Sequence, residues 1–182
     1  IECFRADARI VRAHVNNGGD IALHLAAGTH YRVGLVADLA RVKRREHVDL
    51  DGDFEVGAAL PVRGIATSGW RGRSFSLGIA DSVTVLAATA AGADAAATLI
   101  ANAVNVDHPA IERRPASELK DDTDLGDRLV TVAVGPLPQE IVASALACGE
   151  EAARAMMAGN LVWGVVLCLQ GAVRIVRGDA LQ

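Results

Sequence analysis

Apolar and polar residues alternate with period two along much of the first half of the chain. Two long Ala-rich stretches follow in the second half. The first pattern predicts strands and the second predicts helices. Residues 21–25, 31–36 and 62–67 read as strands, separated by turn signals at Asn16-Asn17-Gly18-Gly19-Asp20 and Gly28-Thr29. Residues 48–56 alternate on both sides of Asp51-Gly52 and predict a hairpin. Residues 74–79 alternate again, and residues 83–86 read as a short strand buried on both faces. Residues 90–104 predict a helix by propensity. Residues 105–128 carry two prolines and an acidic run and read as a long loop with one turn of helix. Residues 129–134 form the next strand. A second helix follows Gly135-Pro136-Leu137-Pro138 and stops at Gly159-Asn160. Residues 161–169 and 172–176 predict a closing hairpin around Gln170-Gly171. Residues 1–15 read as the end of a helix begun upstream. The expected fold is α+β, an antiparallel sheet with helices packed on one side, in a single domain over residues 1–182.

Composition fills in the core. Hydrophobic residues make up 51% of the 182 and aromatics only 3%. Val, Leu, Ile and Ala must therefore fill the interior, which lets helices approach the sheet closely. The net charge is −4. A nucleic-acid partner would call for a basic stripe. The one dense basic cluster, Arg41-Val42-Lys43-Arg44-Arg45, has no interleaved aromatics and reads as a solvated face. No stretch is both long and apolar enough to span a bilayer, so no membrane partner is expected. The cysteines, Cys3, Cys148 and Cys168, are odd in number and form no C-x-x-C. Cys148 and Cys168 read as small core residues, and a cytoplasmic location is expected.

Candidate chemistry is sparse. Asp94 and Thr98 are four apart and share a face of the first long helix. A carboxylate with a hydroxyl suits a hard cation such as magnesium. The same Asp94 would also serve as an N-cap for the first helical turn. Thr67-Ser68-Gly69 ends a strand. It is either an ordinary turn or a place where backbone and hydroxyls meet a ligand. None of the five histidines forms H-x-H or H-E-x-x-H, and His108 in the long loop is the one to follow. The acidic run at residues 121–127 lacks the closing Glu of a calcium loop, which leaves a solvated loop and a metal site as its two readings.

The order of these segments is more specific than any one of them. Gly18-Gly19-Asp20, Thr67-Ser68-Gly69, Asp81-Ser82-Val83-Thr84-Val85 and Ala93-Asp94 followed by Thr98 resemble, in sequence, the ApbE-like flavin transferases. The segments at 73–81, 100–104 and 121–127 resemble the UPF0280 family and extend the likeness over nearly the whole chain. The resemblance implies an ApbE-like variant of the tunnelling fold. It implies magnesium at Asp94 and Thr98, and a flavin or nucleotide-like ligand, FAD or FMN among them, at Gly18, Gly19, Asp20, Thr67, Ser68 and Gly69. It implies a protein target for flavin transfer and the absence of an N-terminal portion from this sequence, which opens at Ile1. A homo-oligomer is compatible with it.

One family segment, H-x-x-D-P-x-T-G, has no counterpart between Gly69 and Ser82. That stretch contains no His and no Pro, and Asp81 is its one carboxylate. Three readings follow. The first is a magnesium-dependent enzyme acting on a flavin or nucleotide-like phosphoester. The second is a ligand-binding module without the transfer chemistry. The third is a different enzyme built on Asp122 and Asp124 of the acidic loop, which a pocket shared by Asp94 and that loop would favour.

Overall fold

The strand Ser82–Ala87, five of whose six residues are buried, lies inside the sheet, where both of its faces are covered. The computed structural model describes residues 1–35 and 52–178. The strands are β1 (Arg12–Asn17), β2 (Asp20–Leu25), β3 (His30–Leu35), β4 (Gly52–Gly57), β5 (Gly64–Ser68), β6 (Ser82–Ala87), β7 (Ile111–Pro115), β8 (Leu129–Val134), β9 (Gly164–Leu169) and β10 (Ala172–Arg177). The helices are α1 (Glu2–Arg5), α2 (Ala90–Ala103) and α3 (Gln139–Ala158). Six strands form one antiparallel sheet in the order β1-β2-β5-β6-β9-β10. Two separate ribbons, β3–β4 and β7–β8, complete the β structure of the described residues.

Strand alternation divides the sheet into two faces. Ala66, Val83, Val85, Leu167 and Leu169 pack against Ala93, Ala97, Ile100, Ala145 and Leu146 of the helices. Leu23, Ile65 and Leu86 point the other way, toward Val56 and Phe54 of the β3–β4 ribbon. This is the expected α+β arrangement, with both long helices on one face. The aromatic-poor composition acts through close approach. A Cβ added at Gly149 of α3 would lie 2.3 Å from Val104 Cγ2 and 2.7 Å from Leu167 Cδ2.

The N-cap of α2 is Thr89, whose hydroxyl accepts the Gly92 N–H at 3.1 Å. Asp94 lies a turn further in and is exposed, so its reading as a cap is set aside. A Thr89→Ala variant should lose about 1 kcal/mol. Its melting temperature in a calorimetric scan should fall by roughly 2–4 °C.

The structure differs from the sequence reading in four places. Residues 1–15 hold a four-residue helix and then β1, which pairs with β2 across Gly18 and Gly19 (φ 70° and 119°). β1 is a mostly exposed edge strand, so it needs no apolar periodicity. Residues 74–79 form no strand. Asn102 Oδ1 accepts the Leu77 N–H at 2.9 Å, and Ile79 N–H donates to Val104 O at 2.8 Å. The segment is thus tied to the end of α2. Within residues 105–128, Ile111–Pro115 is a strand paired with β8, followed by a short 3-10 turn. Cys148 is exposed on α3 and is no core residue. Of the hairpin expected at residues 48–56, the second arm is β4, which pairs with β3, and the first lies outside the described residues. The basic cluster at residues 41–45 lies outside them too.

Candidate functional site

At one end of the sheet the β1–β2 turn, the end of β5 and the exposed side of α2 converge. Each is placed there for a local reason. Asn16 Oδ1 accepts the Gly19 N–H at 2.9 Å and closes the turn. Gly69 follows the end of β5, and an added Cβ there would stand 2.5 Å from Asp81 O, so only glycine permits that approach. Asp94 and Thr98 follow each other by one helical turn on α2.

These elements line a single groove. Gly18, Asp20, Thr67, Ser68, Gly69, Asp94 and Thr98 all border it. Seven of the eight residues singled out from the sequence are thereby brought together. The exception is Gly19, which borders a second cleft on the opposite face of the sheet. Sequence reasoning missed Arg73, Ser74 and Asn17, which border the groove as well. Arg73 has a structural signature: its guanidinium fills the space above Gly18, where an added Cβ would meet Nη2 at 1.8 Å. No spacing rule points to it, because its partner in space is fifty-five positions away.

The charges explain the character of the groove. Asp20 has its carboxyl pushed above the ordinary value, first by burial, then by the negative charge of Asp94; Arg73 opposes this. Two carboxylates therefore share a partly dry site with one guanidinium nearby. Because the folded state holds the Asp20 proton more tightly than the unfolded chain, it binds more protons between the two pKa values. Stability must then fall as pH rises through that window, and the cost persists at neutral pH. Asp20→Asn should raise the melting temperature slightly at pH 7. The gain should vanish in acid, where the aspartate is protonated in both states. Melting curves at the two pH values check this.

Among the described residues no group of three His, Cys, Asp or Glu side chains surrounds a metal position. The groove instead offers two carboxylates and a hydroxyl. Magnesium binds through one or two carboxylates and keeps waters or substrate phosphates as its other ligands, so the donor set fits it. Asp81 borders the cleft on the other face and is held by three donors. It accepts from Trp70 Nε1 (3.2 Å), Arg71 Nε (2.7 Å) and the Gln170 N–H (2.5 Å).

The remaining candidates lie elsewhere. His108 Nδ1 accepts the Ala110 N–H at 3.1 Å and shapes the turn before β7. In the acidic run, Asp122 pairs with Lys120 at 3.3 Å and Asp127 accepts from Ser117 Oγ at 2.8 Å. None of its residues borders the groove of Asp94, so the joint pocket that would favour chemistry at Asp122 and Asp124 is not formed among the described residues.

Sheet, helices and groove define the class: an α+β domain with an oxygen-rich site at one end of an antiparallel sheet. The family model described as AbpE bacteria matches residues 1–175. The chain is similar to a UPF0280 protein of Methanopyrus kandleri, at 38% identity over 110 residues, covering 59% of this chain and 41% of that protein. It is also similar to a UPF0280 protein of Methanothermobacter thermautotrophicus, at 42% over 124 residues, covering 66% and 44%. The chain belongs to the family described as AbpE bacteria and, with these relatives, to the UPF0280 family. It spans less than half the length of the curated relatives it matches. No described helix is long and apolar enough to cross a membrane.

Proposed function

We propose that this domain binds a flavin or nucleotide-like phosphoester with magnesium and acts on its phosphate linkage. The observation that carries the reading is the convergence of Asp20, Asp94 and Thr98 with Thr67, Ser68 and Arg73 around one groove. Asp20 and Asp94 would hold the cation, with Thr98 as a neutral oxygen donor. Bound there, magnesium would neutralise phosphate charge and make the phosphorus easier to attack. Arg73 would orient a phosphate through its planar fork of N–H donors. Ser68 would offer a hydroxyl along the same wall, while the Thr67 hydroxyl is bonded to that of Thr84 at 2.8 Å. FAD and FMN are the ligands to try first, and a target protein would accept any transferred group. A reducing cytosol belongs to the same proposal, supported by an odd number of cysteines with no C-x-x-C among them.

A second reading is a binding module without turnover. The place of Asp81 favours it, because the one carboxylate between Gly69 and Ser82 is held by Trp70, Arg71 and Gln170 and borders the cleft on the other face, not the groove of Asp94. Incubation with FAD and magnesium, followed by chromatography, separates the two. FMN release or covalent flavin on a partner, lost in Asp94→Ala, supports the enzyme. Magnesium-dependent FAD binding without product supports the module. Failure to bind FAD with magnesium present would remove flavin from both.

A further inference from the structure

Arg73 brings the positive charge to the groove, where its guanidinium stands over Gly18 and acts on the Asp20 carboxyl. It makes no hydrogen bond or ion pair with the described residues. Its aim is therefore set by the backbone that carries it. That backbone is a short loop with little stiffness of its own. Glycines at 69 and 72 flank Trp70 and Arg71, and the Gly72 N–H donates to Gly69 O at 3.0 Å.

The loop is fixed from behind. The Trp70 N–H donates to Ala80 O at 3.0 Å. The Asp81 carboxylate then holds both loop side chains with one oxygen. Its Oδ1 accepts from Trp70 Nε1 at 3.2 Å and from Arg71 Nε at 2.7 Å. The Arg71 guanidinium also lies over the Trp70 ring, 5.0 Å from its centre, so the two side chains are held as a pair. The other oxygen, Oδ2, accepts the Gln170 N–H at 2.5 Å. Gln170 is tied in turn: its Oε1 accepts the Leu137 N–H at 3.0 Å, and its Nε2 donates to Gly135 O at 2.7 Å. The Asp81 N–H donates to Cys168 O of β9 at 2.9 Å. Asp81 thus joins the loop to the β9–β10 turn and to the segment that starts α3. Its side chain is only 12% exposed, so these charge-assisted bonds are little screened.

We infer that Asp81 is a positioning residue: by holding Trp70 and Arg71 from the far face of the sheet, it aims Arg73 at an anion in the groove. This rests on the proposed reading of Arg73 as the group that orients a phosphate, and it assigns the residue that places Arg73.

Calorimetric titration of the full chain with magnesium and pyrophosphate, and separately with manganese alone, tests it. Arg73→Ala should weaken magnesium–pyrophosphate binding by about tenfold or more, the worth of a charge-assisted hydrogen bond. Asp81→Asn keeps the shape of the side chain but turns an N–H2 toward at least one of its donors. It should weaken the same binding by about fivefold or more, and adding it to Arg73→Ala should change the affinity by less than about twofold, because the two act through one contact. Manganese binding by Asp81→Asn should stay within about twofold of the native chain, a difference no larger than independent sites show. Trp70→Phe removes one bond to Asp81 and keeps a ring. It should show the same lack of additivity with a smaller loss, and it replaces Asp81→Asn if that variant folds poorly. A loss in Asp81→Asn that adds in full to that of Arg73→Ala, or that falls equally on manganese, makes Asp81 a merely structural residue and overturns the inference, while the reading of Arg73 stands. Unchanged pyrophosphate binding in both Asp81→Asn and Trp70→Phe overturns it too. If magnesium–pyrophosphate does not bind the native chain, or binds without regard to Arg73, the phosphate reading of Arg73 fails and the inference with it.

Discussion

Asp94→Ala should weaken magnesium-dependent binding of FAD by about 100-fold or more, equivalent to about 2.8 kcal/mol. The size follows from charge. Two unit charges 4 Å apart attract by about 4 kcal/mol at an effective dielectric of 20, and a divalent ion doubles the interaction. Asp94 is exposed, so screening takes back much of that. Thr98→Val removes a neutral donor and should cost about tenfold, on the order of 1.4 kcal/mol. The unliganded protein should respond in the opposite direction. Removing Asp94 relieves the repulsion that raises the Asp20 carboxyl, and Ala is a better helix former than Asp. The variant should therefore melt slightly higher without magnesium and lose the stabilisation magnesium gives the native chain. A structural role for Asp94 would lower the melting point in both conditions. Binding isotherms and melting curves with and without magnesium read both signs.

The second large effect concerns the wall behind the site. Gly64 begins β5, where the N-terminus of α2 crosses it. A Cβ at that position would lie 2.0 Å from Thr89 C and O and 2.2 Å from Ala90 N. Those are backbone atoms at the capped start of a helix, so nothing flexible can yield. Gly64→Ala should cost about 3 kcal/mol or more, at the upper end of overpacking. For a domain of this size that is a fall of roughly 6–12 °C in melting temperature. It should also loosen α2, and with it the placement of Asp94 and Thr98 relative to Thr67. Magnesium should then restore less stability than in the native chain. A calorimetric scan with and without the ion measures both.

Much of the fold could be read along the chain. The Ala-rich helices, the apolar β6 and the closing hairpin at Gln170-Gly171 stand almost where periodicity and turn residues put them. What failed had non-local causes. β1 is an exposed edge strand whose identity depends on pairing with β2, not on its own alternation. Residues 74–79 alternate like a strand, yet the side chain of Asn102, twenty-five residues on, takes the backbone N–H of Leu77. β7 hides in a segment that turn signals mark as loop, because its partner β8 supplies the ladder.

The site divides in the same way. Asp94 and Thr98 lie on one helix, so their shared face is local information. Their neighbours Asp20, Thr67 and Ser68 come from strands; the Thr67-Ser68-Gly69 turn left a ligand site open as one reading, and the order of the family segments joined it to Asp20 and Asp94. The same order suggested Gly19, which the turn directs to the other side of the sheet. Arg73 opens one of the segments that resemble the family, but nothing there pointed to the groove, since its place above Gly18 is set by the loop that follows β5.

The central claim is that Asp20, Asp94 and Thr98 form a cation site at the mouth of the groove. Manganese, a paramagnetic stand-in for magnesium with the same preference for oxygen donors, reports its own binding by loss of the free-ion resonance. One ion should bind per chain and be displaced by magnesium, and Asp94→Asn should abolish binding. Manganese bound equally well by Asp94→Asn and Asp20→Asn, or not bound by the native chain with pyrophosphate present, would contradict it.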